Sequence, residues 1–318
     1  MKNILSVNSS PHIKHPDTTS GIMLDVIIAL LPACVFGCIL FGWRAASVLL
    51  TSVASAVLCE FLWNKILKKP ITIGDLSAVV TGLLLGMNLP SRTPLWMAAI
   101  GSAVAIIVVK QMFGGLGHNF ANPAITARIV MLVSFPSAMS NFELAIVDTT
   151  TSATPLTYLS AAAEEIPETV NFTNMFFGLE KGCIGETSAF LLLIGGLYLV
   201  LRRVISPVIP VTYIGTVALL TLIFGDNVSI AVFGGGLMLG AIFMATDYTT
   251  SPTTPLGKLI FGIGCGVITF VIRKFAALPE GVSYAILIMN ILVPYINRIS
   301  LKKPFGYISP KKEVKANE

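Results

Sequence analysis

Charge is what this sequence has least of. Only 12% of its 318 residues are Asp, Glu, Lys or Arg, while 54% are hydrophobic and the mean hydropathy is +0.83. Soluble globular domains carry about twice that charged fraction, so that class is excluded. The first 20 residues are polar and basic and lack a short apolar core ending in a small-residue cleavage site, so no removable signal peptide is expected. The five cysteines (Cys34, Cys38, Cys59, Cys183, Cys265) show no CxxC or Cys/His ligand spacing. Small apolar packing is therefore expected of them, and no metal site. Cys183 alone lies near a membrane surface, with no obvious partner. The net charge of +5 needs no nucleic acid to explain it, because the basic residues gather at the ends of apolar runs.

Long apolar runs are abundant. They recur from Ile22 to Ile296 and predict an all-α polytopic membrane protein. About ten spans are expected, over 22–41, 45–62, 75–89, 95–113, 123–135, 187–201, 208–224, 229–245, 256–272 and 282–296. Several fall below the roughly 20 residues of a full helical crossing, the third, fifth and tenth most clearly. Short, Gly/Pro-interrupted spans suggest helices broken inside the protein.

Loop charges set the orientation. Lys2, Lys14, Lys65, Lys68, Lys69, Arg202, Arg203 and the run from Arg298 to Lys315 fall on one side if ten crossings are right, and that side is cytoplasmic. Both ends of the chain are then inside, and the acidic loop between the fifth and sixth spans is outside. The organisation expected is a cytoplasmic segment 1–20, a five-helix repeat 21–135, an extracytoplasmic loop 136–186, a second five-helix repeat 187–297 and a basic tail 298–318. The repeats are expected because Gly82–Lys110 and Gly240–Lys274 share an order: an apolar run from Gly, a Met, a polar break with prolines, a Pro-Leu, then an apolar run ending in a basic residue. Five crossings per unit would invert the second copy and place a site near the midplane, lined by broken helices.

Asp25, Glu60 and Asp247 sit in or beside apolar spans, where an acid is costly unless paired or facing water. Asp25 and Asp247 are candidates for an ion pathway or for structural acids; Glu60 has Lys65 as a possible interfacial partner. Gly114–Arg128 runs through a Gly-rich turn into a helix, with Asn122 suited to the cap and Pro123 to the first turn. Free amides at such a start can face an anionic or polar ligand, which makes Asn119 and Asn122 candidate cofactor contacts. His118 is expected to bond within the fold. The hydroxyl-rich break Met244–Gly257 can coordinate an ion or a cofactor edge, or save its own backbone bonds as a re-entrant turn.

In the outer loop, Asp148-Thr-Thr-Thr151-Ser152-Ala153-Thr154 resembles the flavinylation motif, roughly Asp-x-x-(Ser/Thr)-Gly-Ala-Thr, of a family. That family comprises the RnfD component of Rnf electron-transport complexes and the NqrB component of the sodium-translocating NADH:quinone reductase. Asp148, Thr151, Ala153 and Thr154 match position by position, and Ser152 replaces the glycine. GIMLDVIIALLPA (Gly21–Ala33), GHNFANPA (Gly117–Ala124) and FMATDYTTSPTTPLG (Phe243–Gly257) extend the resemblance over essentially the whole chain.

The resemblance implies FMN joined to Thr154 by a phosphoester, with Asp148 as part of the recognition motif, and admits a second, noncovalent riboflavin. A threonine hydroxyl is a poor nucleophile, so attachment requires a separate flavin transferase that brings FAD and a metal outside the membrane. The implied role is an electron relay in a complex that oxidises ferredoxin, reduces NAD+ and exports Na+ or H+. No catalytic acid or base is evident, so the chain is expected to be part of an oxidoreductase and incomplete alone. Its implied partners are the other Rnf subunits. The basic tail from Lys302 to Lys315 can face one of them, can face anionic lipid, or can serve only as a topology anchor. A channel or small-solute transporter of inverted-repeat fold is the rival expectation, and the threonine motif is what separates the two.

Overall fold

The computed structural model describes residues 18–140, 142, 156, 172–178, 182–186, 188–276 and 280–301. Among them the regular structure is entirely helical. The long elements are α1 (Thr19–Phe41), α2 (Trp43–Ile66), α3 (Ser77–Met87), α4 (Leu95–Ala103, continuing in wide π-type turns as Val104–Gln111) and α5 (Pro123–Ser134). They continue with α6 (Ala189–Leu201), α7 (Val208–Ile223), α8 (Val228–Phe233), α9 (Pro255–Phe275) and α10 (Val282–Ser300).

Side chains cap the starts where the sequence offers them. Thr18 Oγ1 accepts from Gly21 N at 3.1 Å, and Thr254 Oγ1 from Gly257 N at 3.0 Å. Asn122 Oδ1 accepts from Ala124 N (3.0 Å) and Ile125 N (3.3 Å), with Pro123 in the first turn, as expected of a Pro-started helix.

Polarity is inverted relative to a soluble protein. Large apolar side chains such as Ile39, Leu50, Val211 and Leu222 are exposed, while Glu60, Lys110, Arg128 and Asn290 are buried. Four helices (α1, α2, α9 and α10) are long and apolar enough to cross a bilayer. The chain is therefore a multi-pass membrane protein. The tenth segment, expected to be short, is 19 residues long, because the helix continues through Asn297 and Arg298. The eighth segment breaks at Gly234–Gly236 and resumes as Leu237–Leu239 and Gly240–Met244. Gly235 has φ +67°, which a residue with a Cβ seldom adopts.

Where apolar helices meet with lipid as the alternative, small residues let backbones close in and hydroxyls join them. Ser52 of α2 donates to Gly82 O of α3 (2.8 Å) and shares a bond with Ser102 of α4 (3.0 Å). Tyr213 of α7 shares one with Thr269 of α9 at 2.6 Å. A Cβ on Gly82 would stand 2.8 Å from Val53 Cα and 2.9 Å from Ser52 O, both backbone atoms. Gly82→Leu should therefore cost about 1–3 kcal/mol and lower the thermal midpoint in detergent. Gly215→Ala, which points into open space, should not.

Candidate functional site

A cavity of about 240 Å³ lies where the starts of α1, α3 and α5 meet the ends of α4, α6 and the α8 segment. Apolar side chains such as Met23, Val26, Leu84 and Phe243 form most of its wall. Its polar wall includes Asn119, Asn122, Lys110 and Asp247. Three of the candidates from sequence thus share one chamber: Asn119, Asn122 and, from far along the chain, Asp247. The Oδ1 of Asn119 is buried without a hydrogen-bond partner. Asp247 accepts from Thr249 Oγ1 (3.1 Å) and Thr250 Oγ1 (3.2 Å), so the hydroxyl-rich break serves its own acid. Burial pushes the Asp247 carboxyl above the ordinary carboxylate range, and the bonds from Thr249 and Thr250 draw it partly back.

Behind the cavity the interrupted helices are stitched together. Asn122 Nδ2 donates to Met244 O at 3.1 Å. Asn88, at the end of α3, donates to Leu84 O (2.6 Å) and to Met244 Sδ (3.4 Å). Asn290 of α10, oriented as its neighbours require, donates to Thr250 O (3.0 Å) and accepts from Asn122 N (3.1 Å).

Asp25 stands outside the lining residues. It accepts from Tyr198 Oη at 2.8 Å and pairs with Arg202 at 3.2 Å, both on or just after α6. Of its two readings, this geometry favours the structural one. Glu60 is completely buried, and Lys65 is not its partner. Lys65 lies 5.7 Å over the Phe61 ring, and Glu60 pairs instead with Lys110 at 2.8 Å. Gln111 Nε2 (3.1 Å) and Thr72 Oγ1 (2.8 Å) complete its bonds. The wide turns of α4 carry both Lys110 and Gln111, and such turns recur at functional sites.

A second buried charge group lies toward the other end of the α8 segment. Arg128 donates to Asn88 Oδ1 (2.6 Å) and pairs with Glu186 (3.4 Å) and Glu280 (2.5 Å). Cys183 also meets it, Sγ standing 3.5 Å from Nη2. The ligand atoms of Cys183, Glu186 and Glu280 lie within 4.8 Å of one another, and the guanidinium supplies the positive charge there. Burial raises the Glu280 carboxyl against the pull of Arg128. Lys110 and Arg128 escape a reading that looks only for acids in apolar spans. The same reasoning applied to bases finds both.

Asp148, Thr151, Ser152, Ala153 and Thr154 lie outside the described residues, as does the tail from Lys302. Leu156 is described: it is buried, and a Cβ on Gly235 would strike its side chain. It sits by the break in α8.

Residues 6–306 match the model of the NQR2, RnfD, RnfE family. The chain belongs to that family. Among its relatives, the D component of the Na+-translocating ferredoxin:NAD+ oxidoreductase complex of Acetobacterium woodii is 48% identical over 98% of both chains. The D component of the proton-translocating ferredoxin:NAD+ oxidoreductase complex of Clostridium ljungdahlii is 44% identical over 96% of this chain and 97% of its own. The D component of the ion-translocating oxidoreductase complex of Stutzerimonas stutzeri is 38% identical over 90% and 91%. In this NQR2, RnfD, RnfE member, Arg128→Met would leave Glu186 and Glu280 without their direct ion-pair partner. It should cost about 3–5 kcal/mol, read as earlier maleimide labelling of the buried thiols of Cys34, Cys183 and Cys265 on heating.

Proposed function

We propose that this chain is the RnfD component of an ion-translocating ferredoxin:NAD+ oxidoreductase complex and relays electrons within it through flavin. Family membership along nearly its whole length, together with relatives named for that activity, supports the reading. The ten apolar segments are read as ten crossings in two inverted five-helix repeats, with both ends of the chain in the cytoplasm of a bacterial cell. The interrupted segments around Asn88 and Gly234–Gly236 are of the kind that architecture uses.

Thr154 is the proposed anchor of FMN through a phosphoester, with Asp148, Thr151, Ser152 and Ala153 as the motif read by a flavin transferase. The observation that carries a cofactor role among the described residues is the cavity. Its apolar walls suit a flat ring, and the unpartnered Asn119 Oδ1 suits a ring N–H, so a noncovalent riboflavin fits its chemistry. A bound flavin supplies the redox chemistry. The chain's own residues do the rest: Asn119 and Asn122 orient the polar edge, while Val26, Leu84 and Phe243 exclude water. Asp247, on the same wall, is the proposed ion-pathway acid. Its bonds to neutral hydroxyls leave its charge uncompensated by a base in direct contact, unlike Asp25, which has Arg202. The relatives are named for different ions, Na+ and protons.

Coexpressed with its transferase and denatured in a gel, the protein should fluoresce under ultraviolet light. Thr154→Val should abolish the band while the chain stays in the membrane; a parent without fluorescence would overturn the covalent assignment. Asp247→Asn should abolish ion transport in reconstituted vesicles of the complex while leaving the fluorescent band intact, and unchanged transport would reject that acid.

A further inference from the structure

Lys110 is a buried cation on the wall of a cavity, and its immediate partner is not on that wall. The side chain is 2% exposed and pairs with Glu60, itself 1% exposed, at 2.8 Å. Its other bond is to Ser77 Oγ at 2.5 Å, and Ser77 Oγ in turn donates to Asp75 Oδ1 at 2.6 Å. Lys110 and Ser77 line the cavity; Glu60 and Asp75 do not. The pair is therefore an oriented dipole, and the residue that carries its positive end is the one on the chamber wall.

An ammonium has three N–H donors, and two are committed here, to Glu60 and Ser77. The acceptors of Glu60 are also well used, since Gln111 and Thr72 bond its Oε1 and Lys110 its Oε2. The carboxylate is thus fixed, and the ammonium of this lining residue keeps one uncommitted donor. The wide turns of Val104–Gln111 put Lys110 and Gln111 in position to meet Glu60 together. The acid on the cavity wall, Asp247, is held by its own threonines.

We infer that Lys110, locked by Glu60 and Ser77, binds the acceptor edge of a flavin-like ring in this cavity and sets its reduction potential. The inference rests on the flavin reading of the cavity given above and adds the residue that tunes it. A fixed positive charge beside a ring favours whichever oxidation state carries more negative charge, and in a water-poor site that preference is weakly screened. Lys110 therefore raises the potential of the bound ring. Glu60, one ion pair further away, lowers it by a smaller amount and keeps the ammonium in place. Lys110 is a positioning and tuning residue; it takes no electron or proton in this proposal.

The test uses the full chain in detergent carrying Thr154→Val, so that no flavin is attached at that residue, with riboflavin as the added probe. Binding is followed by quenching of riboflavin fluorescence, and potential by spectroelectrochemical titration. Lys110→Met should weaken binding about tenfold and shift the ratio of reduced to oxidised ring about tenfold toward oxidised, about 59 mV lower for a one-electron couple. Glu60→Gln should move the potential the opposite way, and Lys110→Arg should leave it near the parent value. Opposed signs for the two partners of one ion pair are not expected from a merely structural role.

If Lys110→Met does not fold, the double variant Lys110→Met/Glu60→Gln, which leaves no unpaired buried charge, should still lower the potential. Riboflavin bound at an unchanged potential in Lys110→Met or the double variant would overturn the inference and leave the cavity reading standing. Shifts of the same sign in Lys110→Met and Glu60→Gln would overturn it as well. A parent that binds no riboflavin would overturn both.

Discussion

A helix that stops inside an apolar layer leaves backbone donors and acceptors that lipid cannot satisfy. Nearly everything distinctive in this protein follows from meeting that requirement with side chains. Asn122 caps α5 and reaches Met244 O on the α8 segment, while Asn290 of α10 spans Thr250 O and Asn122 N. Asn88 serves Leu84 O at the end of α3 and hands its oxygen to Arg128. Without these amides, Met244 O, Thr250 O and Asn122 N would lose those partners where lipid offers none in exchange.

The buried charges obey the same rule at higher cost. Most are gathered into compensated groups: Glu60 with Lys110 beside the cavity, and Arg128 with Glu186 and Glu280 toward the other end of the α8 segment, while Arg273 donates to backbone oxygens of Ala231, Gly234 and Glu280. An unpaired ion in such surroundings would neutralise or unfold the site. Pairing permits a charge to stay, and where one partner alone reaches the wall of a chamber, as Lys110 does, the pair becomes a directed field. A shape of broken helices around a chamber suits a solute channel as readily as a redox protein, so fold by itself does not choose between them. The relatives named as oxidoreductase components, and the chemistry of the chamber wall, weigh toward the redox reading.

Much of the frame is legible one residue at a time. Apolar runs locate the helical segments to within a few residues, and Asn122-Pro123 marks a helix start that has the expected cap. Within the eighth segment Gly234–Gly236 brings in no polar residue, so hydropathy does not mark where the helix breaks; the positive φ of Gly235 does. Asn119, Asn122 and Asp247 stand out separately, and nothing in their spacing announces a shared chamber. Lys65 suggests itself as the partner of Glu60 because it is close in the chain. The real partner, Lys110, is 50 residues away and comes from the neighbouring α4.

Residue order alone shows that the chain enters a membrane, roughly where each helix begins, and the family motif from Asp148 to Thr154. Hydropathy, capping and motif spacing are local properties, written within a turn or two of helix. Which charges neutralise one another, which amides close the broken ends and which polar groups line a common cavity emerge only in the folded chain. Those outcomes depend on burial, and burial arises when segments 50 to 122 residues apart pack together, as with Glu60 and Lys110 or Asn122 and Met244.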